Sequence, residues 1–187
     1  MLKILKTSIL MTIILTIITG IIYPLAITLI SQALFPKQAN GSLIIKNKVI
    51  VGSKLIGQSF TEAKYFHSRP SEQNYDALKS GGSNLGPTSK KLIFRIKSIA
   101  NELQAENPNS LIPIEAVTSS ASGLDPHISP EDAKFQILRV ARTRNIPEKK
   151  IRKLIKKYTE SKWLGVFGEE RVNVLLLNLA LDDLNIQ

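Results

Sequence analysis

The chain has no cysteine and only 2 histidines in 187 residues. Disulfides, Cys-ligated zinc, iron–sulfur centres and thiol catalysis are therefore excluded. With 2 histidines, a His-rich metal site is not expected. No G-x-S-x-G elbow occurs, and no Gly-Lys-Thr or Gly-Lys-Ser follows the one glycine-rich stretch, so neither an α/β-hydrolase nucleophile nor a P-loop is present. There is no internal repeat and no low-complexity tract. Acidic residues are sparse, 15 against 25 Lys and Arg, giving a net charge of +10. That balance favours acidic partners: anionic lipid, an acidic protein or nucleic acid. The longest absence is of charge itself. No charged residue lies between Thr7 and Pro36, a run of 30 residues.

That run is what the chain does have. It is rich in Ile, Leu and Thr, and as a helix it reaches roughly 45 Å, beyond the ~30 Å hydrocarbon core of a bilayer. It is about twice as long as the apolar region of a cleaved signal peptide and has no small-x-small cleavage pattern before Lys37. The expectation is a signal-anchor, with residues 7–36 forming the transmembrane helix and its extension. Lys3, Lys6 and the terminal amine hold residues 1–6 in the cytoplasm, so residues 37–187 form an extracytoplasmic domain. Within the span, Ser8, Thr12, Thr16 and Gly20 recur every four residues. Small side chains at that spacing share one helix face and let a second helix approach closely; the plainer alternative is that the hydroxyls bond their own backbone. Pro24 removes a donor and should kink or loosen the helix. A single span cannot form a pore, and a span with a packing stripe suggests a subunit.

Beyond Pro36 the pattern is mixed. Ser42–Lys46 and Lys48–Val51 read as a hairpin around Asn47, and Leu55–Phe60 as a further extended piece. Residues 62–88 are rich in Ser, Gly, Asn and Pro without periodicity, an unusual length for a structureless connection and therefore a functional candidate. Thr88 or Ser89 caps a helix to about Glu106, with Leu92, Ile96, Ile99 and Leu103 on its apolar face. Leu111–Thr118 reads as a strand weakened by Pro113. Ser129-Pro130-Glu131-Asp132 is a strong helix start. Pro147-Glu148 opens another helix, with Ile151, Leu154, Ile155 and Tyr158 on one face. Arg171–Leu177 alternates as a strand, and Asn178–Leu184 reads as a short terminal helix. The fold class is α+β: one N-terminal transmembrane helix followed by a compact mixed domain.

Three features carry candidate chemistry. Ten basic residues and one acid lie between Lys134 and Lys157, the pattern of two amphipathic helices with basic outer faces. No nucleic-acid motif accompanies them. Ser80-Gly81-Gly82-Ser83 reads as a turn with positive φ at its glycines, or as a nest of backbone N–H groups for an anion. Asp125 and His127 place a carboxylate near an imidazole, as in a Ser/His/Asp hydrolase, but a lone D-x-H pattern is weak, and a turn started by Asp125 with a packed or locally bonded His127 is the plainer reading. A tethered extracytoplasmic hydrolase and a tethered binding protein for an anionic ligand are the alternatives to a structural subunit.

A set of segments, in order and behind one N-terminal span, carries a resemblance. They are Ile22-Tyr23-Pro24-Leu25, Ala39-Asn40-Gly41-Ser42-Leu43-Ile44 and Gly52-Ser53-Lys54-Leu55-Ile56-Gly57-Gln58, then Tyr65-Phe66-His67-Ser68-Arg69-Pro70-Ser71. Ser80 to Thr88 (Ser-Gly-Gly-Ser-Asn-Leu-Gly-Pro-Thr) follows, and then Ser122-Gly123-Leu124-Asp125-Pro126-His127-Ile128-Ser129-Pro130, Arg139-Val140-Ala141 and Arg171-Val172-Asn173-Val174-Leu175. Leu177 to Asp182 (Leu-Asn-Leu-Ala-Leu-Asp) closes the set. Each is weak alone; together they run nearly the full chain. The sequence resembles the KdpC family, the C subunit of Kdp potassium-transporting P-type ATPases.

The resemblance implies a bacterial plasma (inner) membrane subunit, with partners it names: a potassium-selective channel-like A subunit, an ATP-hydrolysing B subunit and a small F subunit. It implies an outer domain near the external potassium entrance, no nucleic acid, and a non-catalytic accessory role that stabilises the assembly. Asp-Lys-Thr-Gly-Thr is absent, so the phosphorylated aspartate of such pumps belongs to another chain. The family is described as a catalytic chaperone raising the B subunit's affinity for ATP. ATP is used by the complex, but only Met1 to about Lys6 is expected on the cytoplasmic side, so an effect on ATP is more simply a linkage than a contact. The candidate helix-packing face is Ser8, Thr12, Thr16 and Gly20. The candidate outer contacts are His67, Ser68, Arg69, Gly81, Gly82, Asn84, Asp125 and His127. No catalytic residue, metal ligand or cofactor of this chain's own is expected.

Overall fold

The computed structural model describes residues 1–184, so the last three residues of the expected outer domain lie outside the described range. The chain divides into two compact units, one from Met1 to Ile50 and one from Val51 onward.

The first unit is dominated by helix. α1 (Leu2–Ile17) passes into a π-helical turn (Ile18–Ile22) and then α2 (Tyr23–Leu34). Leu2–Leu34 is long and apolar enough to cross a membrane, and every residue from Met1 to Ile30 is exposed. The expected effect of Pro24 takes a specific form. Pro24 has no N–H to offer and its ring would collide with the carbonyl four residues back. The wide turn immediately before it absorbs the conflict, and the Tyr23 N–H bonds Ile18 O, five residues back. After Phe35 comes a single helical turn, α3 (Pro36–Ala39). The expected hairpin follows as β1 (Leu43–Lys46) and β2 (Val49–Ser53). Asn47 and Lys48 both have positive φ, 52° and 65°, the pair of left-handed residues that a two-residue hairpin turn needs.

The second unit has its core where α6 (Pro130–Arg144), α7 (Glu148–Tyr158) and α8 (Val174–Leu184) meet a small antiparallel sheet of order β3-β5-β4. The strands are His127–Ile128, Arg171–Asn173 and Thr159–Glu160. Ile128 and Thr159 both lie opposite Val172. Ile137, Val140, Ile151, Ile155, Val172, Leu177 and Leu181 are buried, and Phe66 joins them from the long irregular segment. The Ser129 hydroxyl accepts from the Asp132 N–H at 3.1 Å, with Pro130 at the first helical position and Glu131 and Asp132 in the first turn. Asn145 ends α6 in the left-handed conformation. On α7, Ile151 and Ile155 are buried with Leu154 and Tyr158 half-buried beside them, and the lysines face outward. α4 (Lys90–Glu106) starts at the Ser89 cap and half-buries Leu92, Ile96, Ile99 and Leu103.

Three expected elements differ. Leu111–Thr118 is not a strand: Pro113 presets the chain for a single helical turn, α5 (Ile114–Val117), with Glu115 in its first turn. Leu55–Phe60 forms no strand; Gly57 bonds Leu124 O instead of a sheet neighbour. The strand expected over Arg171–Leu177 stops at Asn173, whose side-chain oxygen accepts from the Leu176 N–H at 3.1 Å. That is an N-cap contact, and it starts α8 four residues earlier than expected.

Candidate functional site

The span presents the stripe by itself. The Ser8 hydroxyl donates to Ile4 O and that of Thr12 to Ser8 O, both at 2.9 Å. These two hydroxyls donate within their own helix, as the plainer reading of the stripe expects. Gly20 lies inside the wide turn, and a Cβ placed on it would meet only Thr16 Cγ2 at 3.9 Å.

In the second unit the structure brings together two irregular segments far apart in sequence, 57–86 and 118–127. The Gly57 N–H donates to Leu124 O at 2.8 Å, Ser120 N–H to Pro70 O at 3.2 Å and Gly81 N–H to Ser122 O at 2.9 Å. The Ser71 hydroxyl reaches Gly123 O at 2.7 Å, and that of Ser80 reaches Ser122 O at 3.2 Å. The approach is close enough to require glycine. A Cβ on Gly57 would sit 2.5 Å from Asp125 O, and Gly123 has φ +70° with Gly81 O 3.0 Å from where a Cβ would be.

Gly81 and Gly82 do not have the positive φ expected of them; among these residues it is Asn84 that does, at 52°. A Cβ on Gly82 would meet Ala121 O at 3.1 Å, so that glycine serves proximity. The Gly81 N–H is committed to Ser122 O, which removes it from any anion-binding nest.

Arg69 ties the two segments electrostatically. Its guanidinium lies 3.4 Å from Asp125 Oδ2 and 3.4 Å from Ser119 O. Asp125 Oδ1 accepts from the His127 N–H at 3.0 Å, a local turn bond. The His127 ring is 3.8 Å from that oxygen, and its buried Nε2 has no hydrogen-bond partner among the described residues. Burial, then the charge of Arg171, push the His127 pKa down, while Asp125 pulls it up. A triad would need a serine hydroxyl at Nε2 and a tight carboxylate bond at Nδ1; neither contact is made. His127 and Asp125 border an open cleft of about 440 Å³, with Glu115, Glu131, Lys162 and Arg171. Among the described residues no group of three or more His, Asp or Glu side chains is placed to hold a metal ion.

His67 sits apart from this pair, on the α6 side. Its Nε2 lies 3.2 Å from Glu62 O and 3.3 Å from Arg139 Nη1. Burial first, then Arg139, lower its pKa. The Ser68 hydroxyl is buried and has no partner among the described residues. Thus Arg69, Gly81, Gly82 and Asp125 belong to the joined loops, His127 leads from them into β3, and His67 marks where they are fastened.

The fastening was not visible as a motif. Five consecutive carbonyls, from Ala63 to His67, each accept from a side chain of α6 or α8. Arg139 Nη1 donates to Ala63 O and Tyr65 O, both at 2.8 Å, and Arg144 Nε donates to Lys64 O at 2.7 Å. Asn178 clamps Phe66, giving its amide to the carbonyl (2.9 Å) and taking the N–H (2.8 Å). Gln136 does the same for His67, at 3.1 and 2.8 Å. Gln136 also donates to Asp132 Oδ1 at 3.0 Å. Burial pushes the Asp132 carboxyl up to about 7 despite that bond. Polar residues on otherwise apolar helix faces, Gln136 between Ala133 and Val140 and Asn178 between Leu175 and Leu181, were the available signal. Tyr75 adds a last tie, its hydroxyl donating to Arg69 O at 2.5 Å, and burial raises its pKa to about 12.

Comparison with known proteins matches this chain, over residues 5–183, to the KdpC family, described as the K+-transporting ATPase, c chain. Among curated proteins it is similar to the potassium-transporting ATPase KdpC subunit of Bradyrhizobium diazoefficiens, with 51% identity over 97% of this chain and 98% of the relative. The subunits of the same name from Rhodopseudomonas palustris (49%, 97% and 98%) and Koribacter versatilis (50%, 96% and 94%) are comparably similar.

Proposed function

The chain belongs to the KdpC family of potassium-transporting ATPase subunits, and from that premise we propose that it is a non-catalytic accessory subunit that holds a potassium-uptake ATPase together. The partners are the channel-like, ATP-hydrolysing and small subunits that the family resemblance implies. The observation that supports the reading is the use made of the polar side chains in the second unit. Gln136, Arg139, Arg144 and Asn178 are spent on the main chain of residues 63–67, which fixes the joined loops as a preformed surface instead of a reacting centre. In this reading Arg69, Gly81, Gly82, Asn84, Asp125 and His127 contribute to the partner surface, with His67 and Ser68 at its edge. Ser8, Thr12, Thr16 and Gly20 pack against another helix in the membrane. The N-terminus is cytoplasmic and the second unit faces outward across the plasma membrane.

Any effect on ATP then works at a distance. A subunit that binds one conformation of the complex better than another shifts that equilibrium, and by linkage changes ATP affinity without touching nucleotide. The test is pull-down of the full chain from native membranes in mild detergent, with potassium-stimulated ATPase measured in the eluate. Activity with co-purifying partners is expected; a lone chain under several gentle conditions overturns the reading. Removing the chain from the active complex should weaken ATP affinity by about 5- to 150-fold, the usual range for such coupling. Unchanged affinity would eliminate the linkage.

A further inference from the structure

The hairpin of β1 and β2 is a sheet of two strands only. A lone two-stranded hairpin is marginal in water and needs something against its apolar side chains. Leu43 and Ile45 share one face of β1 and are 41% and 65% exposed, while Val49 and Ile50, which open β2, are 63% and 59% exposed. Among the described residues this apolar set is left largely uncovered. The place where the hairpin starts is fixed. Asn40 and Gln32 exchange side-chain amide hydrogen bonds, Asn40 Nδ2 to Gln32 Oε1 at 3.1 Å and Gln32 Nε2 to Asn40 Oδ1 at 3.3 Å. The Gly41 and Ser42 N–H groups donate to Gln38 O and Lys37 O at 3.0 and 2.9 Å. Gln32 lies in the last turn of α2, and Leu43 is at most about 11 Å beyond Asn40. A helix over Leu2–Leu34 is roughly 50 Å long, enough to run from one headgroup layer to the other. In a membrane-spanning chain its last turn, and the hairpin clasped to it, then lie at headgroup level.

We propose that Leu43, Ile45, Val49 and Ile50 dip into the headgroup–acyl boundary of the bilayer that the span crosses, making the hairpin a second, shallow membrane contact. The proposal rests on the reading of Leu2–Leu34 as a membrane span. Charge selects the lipid surface. No acidic residue precedes Glu62, whereas Lys37, Lys46 and Lys48 lie in or beside the hairpin. Apolar side chains accompanied by lysines and by no acid are the make-up of an interfacial element facing anionic phospholipid. A protein socket fits less well. Protein interfaces enrich Arg and aromatic residues and deplete Lys, and residues 37–54 contain neither an Arg nor an aromatic. The backbone sets the depth. Two strands leave their outer N–H and C=O groups without a sheet neighbour, and these groups need water. The strands therefore stay at headgroup level, and the apolar side chains enter by about 5–10 Å. A span alone leaves the chain free to turn about the helix axis. The second contact fixes that rotation, and with it the face of the span that meets another helix.

The chain's lack of cysteine makes the test direct. Ile45→Cys places a single thiol on the hairpin, and Leu15→Cys places one in the span as the control. Each thiol is labelled with the fluorophore nitrobenzoxadiazole. The full chain, alone and within the active complex, is placed in liposomes of phosphatidylcholine and phosphatidylglycerol. These carry a nitroxide quencher either next to the headgroup or deep in an acyl chain. The label at 45 should be quenched at least about twofold more by the shallow nitroxide than by the deep one, as expected of an interfacial element. The label at 15 should show the opposite order. Quenching at 15 without quenching at 45 overturns the proposal and leaves the span reading standing. Quenching at 45 that disappears in the complex also overturns it, and makes another subunit the occupant. No quenching at 15 means that the span reading itself fails, and the proposal with it. Val49→Asp with Ile50→Asp, added to the Ile45→Cys chain, separates the hairpin from its label. The shallow quenching at 45 should then be lost. Its persistence would show that the label alone enters the bilayer, which overturns the proposal.

Discussion

In the span, the hydroxyls of Thr7, Ser8, Thr12, Thr19 and Thr28 each donate to the carbonyl four residues back. In the second unit, Gln136, Asn178 and Asn173 reach carbonyls 69, 112 and 119 residues away in sequence. The first arrangement closes the helix's polar groups on themselves and leaves its faces uncommitted, so what the span does is decided by what packs against it. The second makes polar side chains hold the tertiary structure, so damage to one is felt as lost stability. A mutation in one unit should therefore report on assembly, and in the other on folding.

The sharpest break of that contrast is Asn178→Leu. It orphans the buried N–H and C=O of Phe66 at about 1–3 kcal/mol each, and a loss of about 4 kcal/mol should appear in denaturant unfolding of the full chain in detergent. Next is Asp132. Its carboxyl is pushed from 3.8 to about 7 in the folded protein, mainly by burial. The unfolded chain gives up this proton first, so the residue destabilises the fold increasingly as pH rises from about 4 to about 7, and no further above that. Asp132→Asn should match the parent near pH 4 and exceed its stability by about 4 kcal/mol at pH 8. Parallel curves across that range would show that Asp132 is not held protonated. Gly57→Ala forces a methyl against Asp125 O and should cost about 2 kcal/mol by overpacking, read as a lower melting temperature.

The contrast turns at Gly20→Leu. Unfolding of the second unit should be unchanged, while retention of the chain in the complex falls by about tenfold, a loss of 1–2 kcal/mol in helix packing. A destabilised second unit with full retention would reverse the assignment. Smallest of all is triple charge reversal at Lys149, Arg152 and Lys156 on α7. Positive charge beside a potassium entrance would repel the ion, so these outward residues should face away from it. Potassium affinity of the complex should not move, and a large change would put α7 at the entrance.

Elements with strong end signals were legible. Ser129-Pro130 and Ser89 fixed their helices because a cap acts on neighbours two or three residues away, which sequence displays. α5 was misread because a single turn has no periodicity, and Ile114 and Val117 look the same in a strand. The start of α8 was missed because Asn173 sits where an alternating strand was read, and its capping bond is invisible until the strand ends. Residues 62–88 could be singled out by composition, and Gly123–Pro130 by the residues that carry the family resemblance. That they join could not be read, since the joining bonds run through main-chain atoms that every residue has. The loop tip at Trp163–Phe167, between β4 and β5, was passed over because its apolar residues resemble core. Only the surrounding fold shows that none of the described residues covers them.

The clamped stretch from Ala63 to His67 is a turn and a short irregular segment in which every carbonyl is taken. Helix side chains occupy its carbonyls, so it offers no open edge to a neighbouring chain. A partner cannot recognise it by β-augmentation, as exposed strands are commonly recognised. It must read side chains alone. In a crowded membrane, where many unrelated proteins present edges to one another, such a surface is specific by withholding the one contact that any polypeptide could make.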